Sequence, residues 1–297
     1  MQKVAALVVT YNRLDLLKES LNAVLNQTRK PDAVYVVDNA STDGTYEYLK
    51  GIEGLKVIRM DENVGGAGGF KAGMKRIICD GGFDWIWLMD DDAVPFRNAL
   101  QTLIEFYESL PEKERRRIGV LQNKRVQDRE WFLKNDGKRF PLRAKPRHFG
   151  TFVGYFVKTK VVERVGFPRE EFFIYADDVE YTFRIKKMGF KVLTVDGSYI
   201  YHPAWATPLD YVFRKRVMIK RGIIRISPWR NYYVFRNPFL MFDNNPLMKW
   251  LILPYYLLDA LDWRTIDRAS YEFAIKGIKD GLARVGGRVV EPGQKKP

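Results

Sequence analysis

The apolar run Trp85-Ile86-Trp87-Leu88-Met89 passes directly into three carboxylates, Asp90-Asp91-Asp92. A short apolar, aromatic-rich run of this kind reads as a buried strand. Three adjacent acids at its end repel one another, and burying even one without a partner is costly. Such a strand needs a compensating group where it stops, and a divalent cation is the usual one. Mg²⁺ and Mn²⁺ take oxygen ligands, commonly one or two carboxylates plus a substrate's phosphates. An acid-rich polar turn is the plainer reading of the same residues.

The segments around this strand alternate between strand and helix. Val4–Val9 is an apolar run of strand length. Asn12 is placed to cap a helix in which Leu14, Leu17, Leu21, Val24 and Leu25 recur at helical spacing, and Pro31 ends it. Ala33–Val37 predicts a second strand ending in Asp38-Asn39, Thr42–Leu49 a short helix and Leu55–Met60 a third strand. Gly65–Gly69 reads as a flexible turn before a helix over Phe70–Ile78, and Asn98–Ser109 as a helix after the acids. Repeated units of this length imply an α/β, Rossmann-like fold, a mostly parallel sheet flanked by helices on both faces. Ligands of such sheets bind beyond the carboxyl ends of the strands. Thr10-Tyr11-Asn12, Asp38 and Asp90-Asp91-Asp92 all fall there, which favours one shared site over three independent turns.

The middle of the chain is less regular. Lys113–Arg117 is a solvated charged run, Arg129–Arg147 a long loop or hairpin, and Gly150–Thr159 a strand. Asp177 opens a helix running to Met188, with Glu180 in the position of a capping-box partner. Lys191–His202 alternates like a strand or hairpin.

Three features carry further chemistry. The cluster Asn63-Val64-Gly65-Gly66-Ala67-Gly68-Gly69 lets backbone approach a ligand, or is simply a flexible loop. It follows the third strand and lacks Gly-Lys-Ser/Thr, so neither the dinucleotide fingerprint nor the phosphate loop fits. Asp177-Asp178 follows the aromatic run Phe172-Phe173-Ile174-Tyr175. Partial desolvation would raise a carboxylate there toward a useful general-base value, while two acids at a helix N-terminus also suit the helix dipole. His202 is one of two histidines; it is structural, or it completes the ligands that the acid cluster awaits.

Taken together, these segments resemble the inverting family-2 glycosyltransferases of the GT-A fold. The matching stretches are Val8–Arg13, Val37–Thr45, Asn63–Gly69, Asp90–Asp92 and Asp177-Asp178, and the likeness covers residues 1 to about 240. The glycine-rich turn, the triple Asp, Ala176-Asp177-Asp178-Val179-Glu180 and the later His look like bacterial galactofuranosyltransferases. Arg230–Asn237 looks like a segment that these share with rhamnosyltransferases. The chain lacks the Gln-x-x-Arg-Trp motif of processive synthases. The resemblance implies a nucleotide-sugar site built from Thr10, Tyr11, Asn12, Arg13, Asp38, Asn63, Gly65, Gly66, Asp90 and Asp91. It implies a divalent metal, Mn²⁺ or Mg²⁺, on Asp90, Asp92 and His202, and Asp178 as the catalytic base. The implied donor is UDP-galactofuranose, with dTDP-rhamnose as the alternative, and the implied acceptor is a glycan or lipid-linked glycan of cell-surface polysaccharide synthesis.

Charge bears on the partner. The net charge is +14, and residues 203–297 carry 17 Lys and Arg against 8 Asp and Glu. The expected division is a catalytic domain over 1–205 and a helical, basic extension over 206–297. A basic extension points to an anionic partner. Nucleic acid is disfavoured, because no such binding module is present and the acid cluster would repel phosphate. A nucleotide-sugar binder without catalysis is disfavoured by the retained Asp92, Asp178 and His202. In Pro246–Trp263, aromatic and aliphatic residues almost encircle a helix, and Arg214, Lys215, Arg216, Lys220, Arg221, Arg225 and Arg230 precede it. This suits a peripheral anionic membrane surface, or a buried helical hairpin. The N-terminus reads as a strand, not a signal peptide, no apolar stretch reaches spanning length, and the single Cys79 allows no internal disulfide. The expected place is the cytoplasmic face of the cell membrane. The sequence is silent on oligomeric state.

Overall fold

The computed structural model describes residues 2–203 and 227–297. They form two compact units. The first runs to Arg169 and resumes over Asp178–Pro203; the second combines Glu170–Asp177 with the described residues after 203. The expected boundary at 205–206 and the basic stretch Arg214–Arg225 lie outside the described residues.

The first unit is α/β. Its strands are β1 (Val4–Thr10), β2 (Ala33–Asp38), β3 (Leu55–Arg59), β4 (Trp85–Asp90), β5 (Val94–Pro95), β6 (Ile118–Val126), β7 (Arg143–Pro146), β8 (Tyr155–Lys158) and β9 (Lys191–Tyr201). Its helices are α1 (Leu14–Leu25), α2 (Thr45–Lys50), α3 (Gly65–Asp80), α4 (Ala99–Ser109), α5 (Glu112–Arg117), α6 (Arg129–Asn135), α7 (Thr159–Val165) and α8 (Asp177–Lys187), whose first residue belongs to the second unit. The sheet order is β3-β2-β1-β4-β8-β6-β9-β5, with β7 beside β9. Strands β3, β2, β1 and β4 are mutually parallel. From β8 onward antiparallel pairs enter, because the middle of the chain has no strand–helix repeat to supply crossovers.

The buried strands sort their side chains by alternation. Val4, Ala6, Val8, Trp85, Trp87 and Met89 face Leu17, Leu21 and Val24 of α1 and Leu100 and Leu103 of α4. Ala5, Leu7, Val9, Ile86 and Leu88 face Phe70, Met74 and Ile77 of α3 and Tyr181 and Ile185 of α8. Both faces are covered, so the strands read as continuous apolar runs. Each large side chain buried in this way contributes about 1.5–3 kcal/mol.

Several local expectations are corrected. The Gly65–Gly69 cluster is not a turn before the helix but its first turn. A Cβ on Gly69 would lie 2.6 Å from Val9 Cγ1, and one on Gly73 would lie 2.4 Å from Leu7 Cδ1. The glycines bring α3 close onto β1. Asn12 does not cap α1. Its Oδ1 accepts from Thr42 N at 2.7 Å, and Asp43 Oδ2 accepts from Leu14 N at 3.0 Å, so the cap comes from the neighbouring loop. Arg129–Arg147 holds α6 and β7, with Asp128 capping Trp131 N at 3.0 Å. Glu180 forms no capping box; it is buried against Arg184 Nε at 2.7 Å.

The described part of the second unit is helical: a 3₁₀ turn at Glu170–Phe172, then α9 (Pro228–Met241), α10 (Pro246–Ile266) and α11 (Arg268–Leu282). Phe235, Phe239, Ala260, Trp263, Ala274 and Ile278 form its core. Helices α9 and α11 meet at backbone distance: a Cβ on Gly277 would lie 2.4 Å from the Tyr232 carbonyl oxygen. Helix α10 buries Ala260 and Trp263 but leaves Leu247, Trp250, Leu251, Leu258 and Leu261 exposed, Leu247 by 69% and Trp250 by 67%. Among the described residues no helix is long and apolar enough to cross a membrane.

Candidate active site

The strand register assembles the site. Thr10 pairs with Asp38, Val9 with Asp90, and Asp38 with Arg59. The polar ends of β1, β2, β3 and β4 therefore lie along one sheet edge, where β-strand carbonyl ends open to ligand.

The three acids have separate surroundings. Asp90 ends β4 and is half-buried, whereas Asp91 and Asp92 are buried in the following turn. Asp91 Oδ2 accepts from Thr10 Oγ1 at 2.9 Å and from Tyr11 N at 3.4 Å, and Arg13 Nη1 reaches its Oδ1 at 3.3 Å. Asp91 thus braces the first loop. Burial pushes its carboxyl up to about 6, against the Arg13 charge, with Asp92 adding to the rise. Asp92 Oδ2 accepts from Arg13 Nη1 at 3.0 Å, and His202 Nε2 stands 3.1 Å from Asp92 Oδ1. Burial opposes the charge on Asp92, but interaction with His202 and the Arg13 cation outweighs it and holds the carboxyl below its ordinary value. His202 is fixed through its own amide, which donates to Val126 O at 3.1 Å.

Asp90, Asp92 and His202 offer one ligand atom each, all within 4.8 Å of one another. Asp92 Oδ1 is buried and meets only His202 Nε2 among the described residues, and His202 Nδ1 is buried without a hydrogen-bond partner there. Two carboxylates and an imidazole with unmet buried capacity fit a divalent cation of the Mg²⁺–Mn²⁺ kind.

A second cluster holds the end of β2. Asp38 is fully buried; its Oδ1 accepts from Ser41 N at 3.0 Å and Arg59 pairs with its Oδ2. Arg59 also donates to Ser41 O at 2.9 Å and lies over the Tyr46 ring. Asn63 Oδ1 accepts from Gly65 N at 2.9 Å and from Asn39 Nδ2 at 3.1 Å, while Asn39 Oδ1 accepts from Val64 N at 3.0 Å. The two asparagines cross-brace the start of α3. A Cβ on Gly66 would meet nothing within 4 Å, so that position is open.

Asp178 belongs to a third group. Its Oδ1 accepts from Val179 N at 2.7 Å. Burial raises its carboxyl to about 6, against hydrogen bonds from the backbone of Val179, Asp178 and Phe152 and the charge of Arg147. Burial, reinforced by Arg125, in turn pulls the Arg147 guanidinium below its ordinary value. Arg59, Asn39, Ser41 and Arg147 escaped the sequence reading. Only Asn39 and Ser41 carried a signal, as members of the Asp38–Thr45 stretch.

Residues 5–166 match the sequence model of glycosyl transferase family 2. The chain belongs to that family and is a glycosyltransferase enzyme. It is similar to the galactofuranosyltransferase GlfT1 of Mycolicibacterium smegmatis, 28% identical over 279 residues, with 86% of this chain and 89% of that protein covered. It is also similar to GlfT1 of Mycobacterium tuberculosis, 27% identical over 283 residues, with the same shares covered. Among solved structures, S. aureus TarS 1–349 in complex with UDP-GlcNAc superposes with a TM-score of 0.58 at 17% identity, covering 96% of this chain and 82% of that one. The mannosyltransferase PcManGT from Pyrobaculum calidifontis, in complex with GDP-Man and Mn²⁺, superposes with a TM-score of 0.53 at 17% identity, covering 94% and 87%. The fold is that of the GT-A glycosyltransferases.

Proposed function

We propose that the protein transfers galactofuranose from UDP-galactofuranose, with inversion, to a lipid-linked glycan acceptor of cell-surface polysaccharide synthesis. The observation that carries the reading is the Asp90, Asp92 and His202 cluster at the carboxyl edge of the sheet, with Asp92 Oδ1 facing His202 Nε2 and His202 Nδ1 buried without a hydrogen-bond partner among the described residues. Mycobacterial relatives named as galactofuranosyltransferases support the choice of sugar, and neighbours solved with UDP-GlcNAc or with GDP-Man and Mn²⁺ support a nucleotide-sugar and a metal.

In this reading Thr10, Tyr11, Asn12 and Arg13 line the nucleotide side. Asp38, with both oxygens engaged, shapes the nucleobase floor through Ser41 and Arg59. Asn63, Gly65, Gly66 and Asp91 hold the surrounding backbone in place. Asp90, Asp92 and His202 would hold a divalent cation, which would supply positive charge against the departing diphosphate. Asp178 accepts the proton of the acceptor hydroxyl as that oxygen attacks the anomeric carbon from the face opposite the nucleotide. A carboxyl at about 6 is mostly ionised at neutral pH yet basic enough to take the proton. One displacement inverts the anomeric centre, with no covalent enzyme intermediate.

A lipid-linked acceptor is presented at a bilayer, so the enzyme works as a peripheral protein on the inner face of the membrane. The exposed apolar face of α10 supports this. The test is a donor screen that reads nucleoside diphosphate release with Mn²⁺ and a polyprenyl-linked glycan. UDP-galactofuranose should be turned over well above dTDP-rhamnose; the reverse order would replace the donor, and release with neither would refute the reading.

A further inference from the structure

We propose that Arg236 and Asn237 are positioning residues for the base. They hold the backbone of residues 170–176 in a conformation it would not keep alone, and so fix the chain from which Asp178 emerges. The inference rests on the reading of Asp178 as the base.

Phe173, Tyr175 and Ala176 have φ of 62°, 66° and 63°. L-residues other than glycine rarely enter this region, because Cβ crowds the backbone, and three within four positions survive only if their surroundings over-determine them. The side chains of two consecutive residues of α9 are part of those surroundings. Asn237 Nδ2 donates to the carbonyls of Phe172, Ile174 and Tyr175 at 3.0, 2.6 and 2.8 Å. Arg236 Nη2 donates to the carbonyls of Glu171 and Phe172 at 2.7 and 3.0 Å, and its Nη1 to Gly287 O at 2.6 Å. Arg236 Nε donates to Asn237 Oδ1 at 2.9 Å, which orients the amide. Both residues are fully buried, and the guanidinium lies over the rings of Tyr232 and Tyr233.

A buried cation is an expensive packing element, since an apolar side chain of similar volume fills space at least as well. Its Nη2 here serves two backbone carbonyls of one short segment, and its Nε orients the amide that serves three of that segment's carbonyls. That segment bears the strain, and it ends two residues before Asp178. Strain of this kind concentrates where a side chain must be presented in one orientation. Misplacing a reacting group by about 1 Å can cost on the order of 100-fold in rate.

The test uses the full chain and four proteins: wild type, Asp178→Asn, Asn237→Ala, and Asn237→Ala combined with Ala176→Gly. Turnover is read as UDP release from UDP-galactofuranose with Mn²⁺, first with water and then with a polyprenyl-linked glycan as acceptor. UDP binding is read by calorimetry, and folding by circular dichroism. Asn237→Ala should bind UDP within about twofold of wild type with an unchanged donor KM, while kcat falls on the order of 10- to 100-fold. Adding Ala176→Gly should recover several-fold of that loss, because glycine takes positive φ without strain. If Asn237→Ala does not fold, Asn237→Ser, which keeps one donor, should show the same pattern at about threefold. A folded Asn237 variant with wild-type kcat, while Asp178→Asn is inactive, overturns the clamp and leaves the base reading intact. Loss of UDP binding in step with kcat, without rescue by Ala176→Gly, also overturns it. Wild-type turnover in Asp178→Asn removes the base assignment, and the proposal with it.

Discussion

Replacing Asp178 by Asn removes the proposed proton acceptor while keeping the side chain's shape, and two effects of opposite sign follow. The first is catalytic. With its carboxyl at about 6, Asp178 is mostly ionised at pH 7.5 and falls silent as the pH drops below that value. The amide cannot accept the hydroxyl proton, so kcat should fall on the order of 10²- to 10⁴-fold, or roughly 3–5 kcal/mol of barrier. UDP affinity should not change, because the proposed role of this group is on the acceptor. The second effect concerns stability. The folded carboxyl is raised from 3.8 to about 6, so the native state binds more protons than the unfolded chain between those values. Stability attributable to this group is therefore full below the lower value, declines as pH rises through the window, and is flat above it. About two pH units correspond to at most ~3 kcal/mol, and partial solvent access reduces this to about 1–2 kcal/mol. Asp178→Asn should thus melt above wild type at pH 8 and level with it at pH 4. UDP release at saturating acceptor, UDP titration and melts at the two pH values decide the matter. Wild-type turnover would refute the catalytic assignment, and a variant that melts below wild type at pH 8 would refute the account of the raised carboxyl.

Asp92→Ala and His202→Ala should each weaken Mn²⁺-dependent UDP binding tenfold or more, in line with loss of a ligand or its support, while leaving metal-free binding alone; UDP titrations with and without Mn²⁺ check this. Gly277→Ala gains helix propensity of about 1 kcal/mol but places Cβ 2.4 Å from the Tyr232 carbonyl oxygen, which cannot rotate away. Overpacking of about 1–3 kcal/mol should dominate, with a net loss near 1 kcal/mol read in thermal melts. Combined Trp250→Ser, Leu251→Ser and Leu258→Ser should reduce co-sedimentation with anionic vesicles at least tenfold, since each large apolar side chain withdrawn from water is worth about 1.5–3 kcal/mol, and leave UDP binding unchanged.

The parallel half of the sheet was legible because strands buried on both faces are continuous apolar runs and α1 and α4 show helical spacing. The acids were legible because no ordinary surface explains three of them after Trp85–Met89. The division of labour among them was not, since it depends on Thr10 and Arg13 claiming Asp91 across the sheet edge. The glycine cluster misled because glycine composition cannot distinguish a flexible turn from a helix pressed onto a strand; only the contact with Val9 and Leu7 does. Asn12 and Glu180 misled for a related reason. Both matched local capping patterns, and both found stronger partners, Thr42 and Arg184. Arg59, Arg147, Arg236 and Asn237 act on groups 18 to 65 positions away along the chain, a distance over which local pattern carries no information.

The carbonyls of Glu171 and Phe172 find their side-chain donors 64 to 65 positions later, at Arg236 and Asn237. During synthesis at about 5–20 residues per second, those carbonyls wait roughly 3–13 seconds for α9 to leave the ribosome. Over that interval the residues of the parallel half are already synthesised, and the segment bearing the left-handed residues lacks these side-chain donors. On the proposed roles of Asp178, Arg236 and Asn237, the base would be among the last groups of this enzyme to acquire its final geometry. A chain terminated before Arg236 would carry the whole sequence of the family match and still present Asp178 on an unset hinge.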